Sequence, residues 1–128
     1  MNDSAMNKPQ KTGLARIKAA TGYSIKGLKA AWINEAAFRQ EAIAMLLMTP
    51  LAFWVGQSGL ERAVLIAVCF LVILMELVNS AIEAVVDRIS DERHPLSGQA
   101  KDMGSAAVFL SLILVAITWG FIFIDNFA

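Results

Sequence analysis

The chain contains 128 residues, 57% of them hydrophobic and 17% charged, and its mean hydropathy is +0.58. These values favour an integral membrane protein over a soluble domain of this length. Eleven basic residues balance eleven acidic ones, so no net charge attracts nucleic acid. One cysteine and one histidine are too few for a Cys/His zinc site, and we expect the lone Cys69 to be a core or lipid-facing residue.

The N-terminal third is basic. Residues 1–12 are polar and predicted to be disordered, and residues 13–34 combine apolar positions with lysine and arginine. This pattern predicts an amphipathic helix on an anionic membrane surface, with a break near Thr21 and Gly22; a soluble-type helix packed on a neighbour is the alternative. The first 41 residues lack the apolar segment of a secretory signal, so we expect the later spans to direct insertion.

Three transmembrane helices are predicted next, over residues 36–60, 63–86 and 103–124, which makes residues 13–128 one membrane-embedded domain. Each apolar run approaches or exceeds the ~20 residues that a helix needs to cross the hydrocarbon core. Seven of the eleven Lys/Arg residues precede residue 40, and the C-terminal end has none. The positive-inside rule therefore places the N-terminus and the 87–102 connection in the cytoplasm and the C-terminus outside.

Polar residues interrupt the second span. Glu76, Asn79 and Glu83 fall on one face of a helix, together with Ser80, and Asp87 follows one turn later. A carboxylate at the bilayer centre costs about 2.5–3.5 kcal/mol, so this stripe is the first candidate for a functional site. Because Glu76 lies deepest, it is the residue of the stripe best suited to act as a general base.

A second acidic residue, Glu35, lies between the surface helix and the first span. Arg39 follows it by four residues, which predicts an interfacial ion pair as the ordinary interpretation. The alternative is a cation site, because Glu35, Glu83 and Asp87 are expected at one depth and carboxylate oxygens suit a hard cation such as Mg²⁺.

Other polar and aromatic positions also have two interpretations. Lys101 and Asp102 precede the third span, where they indicate either a helix start or, for Lys101, a phosphate contact. His94 is expected to be solvated in a loop. We predict that Trp32, Trp54 and Trp119 form an aromatic belt at the span ends. Contact with the lipid substrate is the second interpretation.

The stripe also carries a family resemblance. Residues 76–87, ELVNSAIEAVVD, resemble the signature of the prokaryotic diacylglycerol kinase family, E-x-[LIVM]-N-[ST]-[SA]-[LIV]-E-x-x-V-D, at every position. Residues 22–41 and 100–108 are similar to that family as well, so the likeness covers roughly residues 13–125. The phosphate-binding loops of soluble kinases are absent.

The resemblance implies an all-α homotrimer of three-span subunits in the bacterial inner membrane, with composite active sites at the cytoplasmic interface. It implies transfer of the ATP γ-phosphoryl group to the free hydroxyl of diacylglycerol, with Mg²⁺ as cofactor. Glu76 matches the family's proton acceptor, and Asn79 matches a supporting polar position. Glu35 and Glu83 match the carboxylates that hold the divalent ions.

The resemblance also implies a wider set of contacts. The positions that match ATP contacts are Arg16, Tyr23, Glu35, Glu83, Glu92, Arg93, His94, Lys101 and Asp102. The positions in lipid-substrate segments are Ser24, Lys29, Trp32, Phe38, Arg39, Glu41, Trp54, Glu76, Ser105 and Trp119.

Two positions depart from the family pattern: Arg93 replaces a tyrosine and Ile25 replaces a tryptophan. Neither is a carboxylate, so these departures affect nucleotide and lipid contacts rather than the carboxylates that carry the chemistry.

Undecaprenol is an alternative acceptor within the same family. A small proton-coupled transporter subunit, with Glu76 and Glu83 as the relay, is the competitor from another class, and a purely structural trimer leaves the buried carboxylates unexplained.

Overall fold

The computed structural model describes residues 12–128, and these residues form four helices and no strand. The helices are α1 (Gly13–Asn34), α2 (Ala36–Val55), α3 (Gly59–Ile89) and α4 (Pro95–Phe127). α3 packs against both α4 and α2, whereas α1 makes few contacts. The all-helical prediction is confirmed. The disorder predicted for the N-terminus falls on residues 1–11, which lie outside the described residues, and on residue 12.

Helix α1 is continuous and largely exposed. It begins at Gly13, whose φ of +61° follows the extended Thr12. The expected break near Thr21 and Gly22 is wrong: the Thr21 hydroxyl donates to the carbonyl of Ile17 at 2.9 Å, and a helical glycine costs only about 0.5–1 kcal/mol. Ala31 is the one buried residue of α1, which disfavours a soluble-type helix packed along a neighbour.

The junction between α1 and α2 is a single extended residue, Glu35, with φ −118° and ψ 104°. Arg39 stabilises this junction, because its guanidinium donates to the carbonyl oxygens of Trp32 at 2.7 Å and Ile33 at 3.1 Å. These two carbonyls would otherwise lack partners at the helix end. The predicted Glu35–Arg39 ion pair is therefore wrong, since the one ion pair within residues 12–128 involves other side chains.

The first predicted span ends earlier than residue 60. α2 stops at Val55, and α3 begins after Ser58, whose hydroxyl accepts from the Glu61 amide at 3.1 Å. A serine followed three residues later by a glutamate is a helix-start pattern, and it divides the predicted span from the next helix.

The 56–58 connection is tied to the end of α4. The Asn126 amide donates to the carbonyl of Val55 at 2.8 Å and to the Glu61 carboxylate at 3.1 Å. That carboxylate also accepts from the Gln57 amide at 2.7 Å. These hydrogen bonds, from Gln57 first and then from Asn126, lower the pKa of Glu61 below its ordinary value.

The connection between α3 and α4 is also shorter than predicted. It comprises residues 90–94 rather than 87–102, because α3 continues to Ile89 and α4 begins at Pro95. His94, expected to be merely solvated, is the N-cap of α4, and its Nδ1 accepts from the Leu96 amide at 3.1 Å. Lys101 therefore lies inside α4, and its predicted place at a helix start is wrong.

Two apolar clusters hold α2, α3 and α4 together. One comprises Met45, Cys69, Val72 and Val115, and the other comprises Ala52, Val55 and Leu65. Cys69 is thus a core residue, as expected.

Two of the tryptophans make contacts between helices. The Trp119 indole N–H donates to the Leu65 carbonyl at 3.2 Å, so this half-buried ring joins α4 to α3. Trp54 is exposed and packs against Phe127, with ring centroids 4.9 Å apart.

Helices α3 and α4 are long, apolar and largely exposed. Among the described residues, these two helices are long and apolar enough to cross a bilayer, and only 28% and 17% of their apolar windows are buried within the chain. A soluble core helix would instead be mostly buried. The predicted spans 63–86 and 103–124 lie inside them. α2 does not reach the same hydropathy, although its 20 residues extend about 30 Å.

The Asn126 contacts give a stability prediction. Asn126→Ala removes two hydrogen bonds that join α4 to the 56–58 connection, so we expect it to lower the free energy of unfolding in detergent micelles by about 1–2 kcal/mol. Denaturant titration followed by circular dichroism measures this change. Asp125→Ala is the matched control, because Asp125 is exposed on the same turn, and equal stability of the two variants would contradict the prediction.

Candidate functional site

A cavity of about 380 Å³ opens between α2, α3 and α4 on the acidic face of α3. We call it the carboxylate cavity. Its polar lining comprises Glu35, Glu41, Glu76, Asn79, Glu83 and Ser105, and its apolar lining comprises Ala37, Val108, Phe109 and Leu112. Glu76, Asn79 and Glu83 of the predicted stripe therefore face one cavity, and Glu35 from the α1–α2 junction lines the same space.

Burial differs along the stripe. Glu76 is 5% exposed and Asn79 is 8% exposed, whereas Glu83 is half-buried and Asp87 is exposed. Within this chain, the side chains of the stripe become more exposed from Glu76 towards Asp87. A buried carboxylate that faces a cavity without a cationic partner is costly to a fold, which makes Glu76 the strongest candidate for chemistry.

Asn79 occupies the tightest point of the site. Its amide nitrogen approaches Glu83 Oε1 at 3.4 Å, a long hydrogen bond that orients the Glu83 carboxylate. Its Oδ1 has no hydrogen-bond partner and lies directly against Gly104 of α4. A β-carbon at Gly104 would overlap this oxygen, so α4 can approach α3 here only because residue 104 is glycine.

Glu41 joins the site from α2. Its carboxyl group neighbours that of Glu76, and its Oε2 is buried without a hydrogen-bond partner. The sequence indicated Glu41 only as one member of a lipid-contact segment. In the structure Glu41 and Glu76 line the same cavity from α2 and α3.

A second cavity, of about 410 Å³, lies at the α3–α4 connection. We call it the loop cavity. Its lining includes the predicted loop residues Glu92, Arg93 and His94. Lys101 of α4 forms another part of its wall.

Lys101 links the two cavities electrostatically. Its ammonium group contacts Asp87 at 2.6 Å, and this hydrogen bond and charge, with a smaller contribution from Glu83, raise the pKa of Lys101 above its ordinary value. A lysine held this way supplies a fixed positive charge between the loop cavity and Glu83.

The predicted three-carboxylate cation site is not assembled. Among residues 12–128, no group of three His, Cys, Asp or Glu residues could hold a metal ion. Asp87 is paired with Lys101 and so leaves the set, whereas Glu35 and Glu83 still line one cavity.

The remaining predicted contacts are dispersed. Trp54 lies about 20 Å along α2 from Glu41, and Trp119 lies about 10 Å along α4 from Leu112, the nearest residues of those helices that line the carboxylate cavity. Phe38 is buried and Arg39 caps α1. Exposed positions that line neither the carboxylate cavity nor the loop cavity are Arg16, Tyr23, Lys29, Trp32 and Asp102, and Ser24 lines a separate groove between α1 and α3.

Sequence reasoning missed several participants. Asp87 was predicted as a cation ligand and is the partner of Lys101. Gly104 was not predicted as part of the site, although its missing side chain makes room for Asn79. Ser80 was predicted to lie on the acidic stripe, but it lines the groove between α1 and α3. No sequence signal distinguishes these arrangements, because each depends on which helix lies opposite.

Comparison with known proteins gives matches to one family. The family model described as prokaryotic diacylglycerol kinase matches residues 22–123. A diacylglycerol kinase of Escherichia coli K12 is 58% identical over 108 residues, which cover 84% of this chain and 88% of that protein. A diacylglycerol kinase of Pseudomonas aeruginosa is 56% identical over the same extents, and one of Haemophilus influenzae is 50% identical over 85% of this chain and 92% of its own.

The Gly104–Asn79 contact gives a packing prediction. Gly104→Ala forces its new methyl group into Asn79, so we expect the free energy of unfolding to fall by about 1–3 kcal/mol. Gly120→Ala is the matched control on the same helix, because open space surrounds Gly120 and a helical alanine is favoured by about 0.5–1 kcal/mol. Denaturant titration in micelles measures both, and a neutral Gly104→Ala variant would contradict the contact.

Proposed function

The chain belongs to the prokaryotic diacylglycerol kinase family, and we propose that it transfers the γ-phosphoryl group of ATP to the free hydroxyl of 1,2-diacylglycerol, forming phosphatidate. It is thus a kinase whose acceptor is an alcohol, acting in phospholipid metabolism. The family match over residues 22–123 supports the reaction class, and relatives at 50–58% identity are diacylglycerol kinases.

One structural observation carries this proposal. The buried Glu76 faces a cavity whose outer part holds Glu35 and Glu83, next to the Lys101 charge. Phosphoryl transfer needs a base at the acceptor hydroxyl and positive charge at the phosphates, with both reactants held in line. The acceptor hydroxyl of a bilayer lipid lies below the phosphates of a water-soluble nucleotide, and the depth order of these residues matches that arrangement.

The residues divide the chemical work as follows. Glu76 accepts the proton of the lipid hydroxyl as its oxygen forms a bond to the γ-phosphorus, and the bond from that phosphorus to the β–γ bridging oxygen breaks, which releases ADP. Glu41, as the neighbour of Glu76, helps to hold that proton away from the reacting oxygen. Asn79 keeps the Glu83 carboxylate oriented through its hydrogen bond.

The donor set fits a magnesium ion. Glu35 and Glu83 present only oxygen atoms to one cavity, and hard cations with few protein ligands complete their shell with water and substrate phosphate. We infer that these two residues hold the Mg²⁺ of Mg–ATP, which would neutralise charge on the phosphate oxygens when bound.

The loop cavity is our candidate nucleotide site. Arg93, His94 and Lys101 provide nitrogen donors around a space next to the carboxylate cavity. Lys101 is the best placed of them to contact phosphate, because Glu83 already contributes to its electrostatic environment. Asp87 holds its ammonium group in place at 2.6 Å.

We also propose the membrane arrangement. α2, α3 and α4 each span the bacterial inner membrane, α1 lies on its cytoplasmic surface, and the C-terminus is outside. The distribution of basic residues supports this orientation, and the exposed apolar faces of α3 and α4 support their place in the bilayer. A homotrimer, implied by the family resemblance, would bury part of those faces and complete the sites from neighbouring subunits.

Two alternatives remain testable. Undecaprenol is another lipid alcohol that the same chemistry would phosphorylate. A proton-coupled transporter subunit would use Glu76 and Glu83 as a relay, but that function gives no reason for the Lys101–Asp87 pair and the loop cavity to adjoin the carboxylates.

The reaction and its base are tested together. Purified protein in lipid micelles with Mg²⁺, ATP and diacylglycerol is expected to form phosphatidate, and Glu76→Gln is expected to lower kcat by about 10²–10⁴-fold. Radiolabelled lipid product measures both rates, and undecaprenol in place of diacylglycerol measures acceptor preference.

Asp125→Asn is the matched control, because it neutralises an exposed carboxylate at the opposite end of α4 and should keep the native rate. Absence of product from both lipids would refute the kinase proposal, and faster phosphorylation of undecaprenol would refute the acceptor. A Glu76→Gln variant with near-native turnover would remove Glu76 as the base.

The magnesium assignment predicts a titratable defect. Glu83→Asp shortens the side chain by one methylene, so the carboxylate holds the ion less well and the Mg²⁺ concentration for half-maximal rate should rise about tenfold, with recovery of rate at saturating Mg²⁺. The assay is the same lipid phosphorylation over a Mg²⁺ series. A reduced rate with an unchanged Mg²⁺ dependence would mean that Glu83 does not hold the ion.

A further inference from the structure

A groove of about 600 Å³ runs between α1 and α3, separate from the carboxylate cavity. Its walls are mainly small apolar side chains, contributed by Gly27, Ala30 and Ala31 of α1 and by Ala81 and Ala84 of α3. Glu35 lines both this groove and the carboxylate cavity, so the two spaces meet at the α1–α2 junction.

Ser80 is the α3 hydroxyl that lines this groove. Its side chain is 9% exposed, and its Oγ has no hydrogen-bond partner. Other helical hydroxyls are satisfied by carbonyls of their own helix: Ser24, across the groove, donates to Ala20 at 3.0 Å, and the buried Ser111 donates to Val108 at 2.7 Å. A buried hydroxyl without a partner destabilises a fold, so a groove-bound acceptor would explain why Ser80 is tolerated.

We propose that Ser80 donates a hydrogen bond to an ester carbonyl of the diacylglycerol substrate, whose glycerol end lies where the groove meets the carboxylate cavity. This inference rests on the proposed function and adds a positioning residue to it. Ser80 lies four residues after Glu76, about 6 Å along α3. In diacylglycerol, the carbon next to the reactive CH₂OH bears an ester, so a hydroxyl held near Glu76 brings that carbonyl within reach of Ser80.

The chemistry of the groove agrees with this occupant. The small apolar walls provide space for the first part of an acyl chain, and an ester carbonyl is an acceptor that can use the free Ser80 proton. An ether lipid has the same glycerol hydroxyl and chains but no carbonyl. Ser80 therefore makes the enzyme prefer acyl lipids to alkyl lipids, because a site built to donate a hydrogen bond discriminates against a ligand that lacks the acceptor.

The test compares two matched acceptors. Native protein and Ser80→Ala are assayed in the same micelles with Mg–ATP and either 1,2-diacylglycerol or 1,2-dialkylglycerol of equal chain length. We expect native kcat/KM to be about tenfold higher for the diacyl lipid, and Ser80→Ala to remove this preference by raising KM for the diacyl lipid alone. Ser80→Thr keeps a hydroxyl and should retain the preference.

Ser111→Ala is the control, because it removes a buried hydroxyl that is already bonded within α4 and should leave the ratio of the two lipids unchanged. Equal effects of Ser80→Ala on both lipids, or none on either, overturn the inference while the kinase proposal stands. Native protein that phosphorylates neither lipid overturns the proposed function itself. Unfolding measurements on Ser80→Ala should show no loss of stability, which separates lost recognition from lost folding.

Discussion

The close approach of α4 to α3 at Gly104 is the constraint on which the rest of the site depends. Asn79 fits between the two helices because residue 104 has no side chain, and Asn79 in turn orients Glu83. Glu76 is buried one turn away on the same face. One missing β-carbon therefore sets how closely α4 approaches the acidic face of α3 at Asn79.

Hydrogen bonds that join the helices lie at one end of the molecule, and buried polar atoms without partners lie at the other. At one end, Asn126 and Glu61 satisfy backbone groups of the 56–58 connection, and Trp119 joins α4 to α3. At the other end, Asn79 Oδ1, Ser80 Oγ and one Glu41 oxygen are buried without partners. Unsatisfied polar atoms cost folding free energy, so their concentration at one end is consistent with the proposed substrate site there.

Glu35 has an unusual position because it belongs to no helix. As the single extended residue between α1 and α2, it borders both the α1–α3 groove and the carboxylate cavity. Arg39, which the spacing predicted as its ion-pair partner, instead caps α1 and leaves the Glu35 carboxylate free of that pairing. The junction thus keeps an acidic group where the α1–α3 groove meets the carboxylate cavity.

The sequence by itself determined the all-helical class, the positions of α3 and α4 and the shared face of Glu76, Asn79 and Glu83, because helical period and hydropathy are local properties. It could not determine that Asn126 at the far end of the chain donates to the carbonyl of Val55, where α2 ends. Only the tertiary structure decided that Asp87 pairs with Lys101 and that Ser80 faces a different space from its neighbours on the stripe. These pairings join residues far apart in the chain, and a helix face acquires its role only from the helix that packs against it.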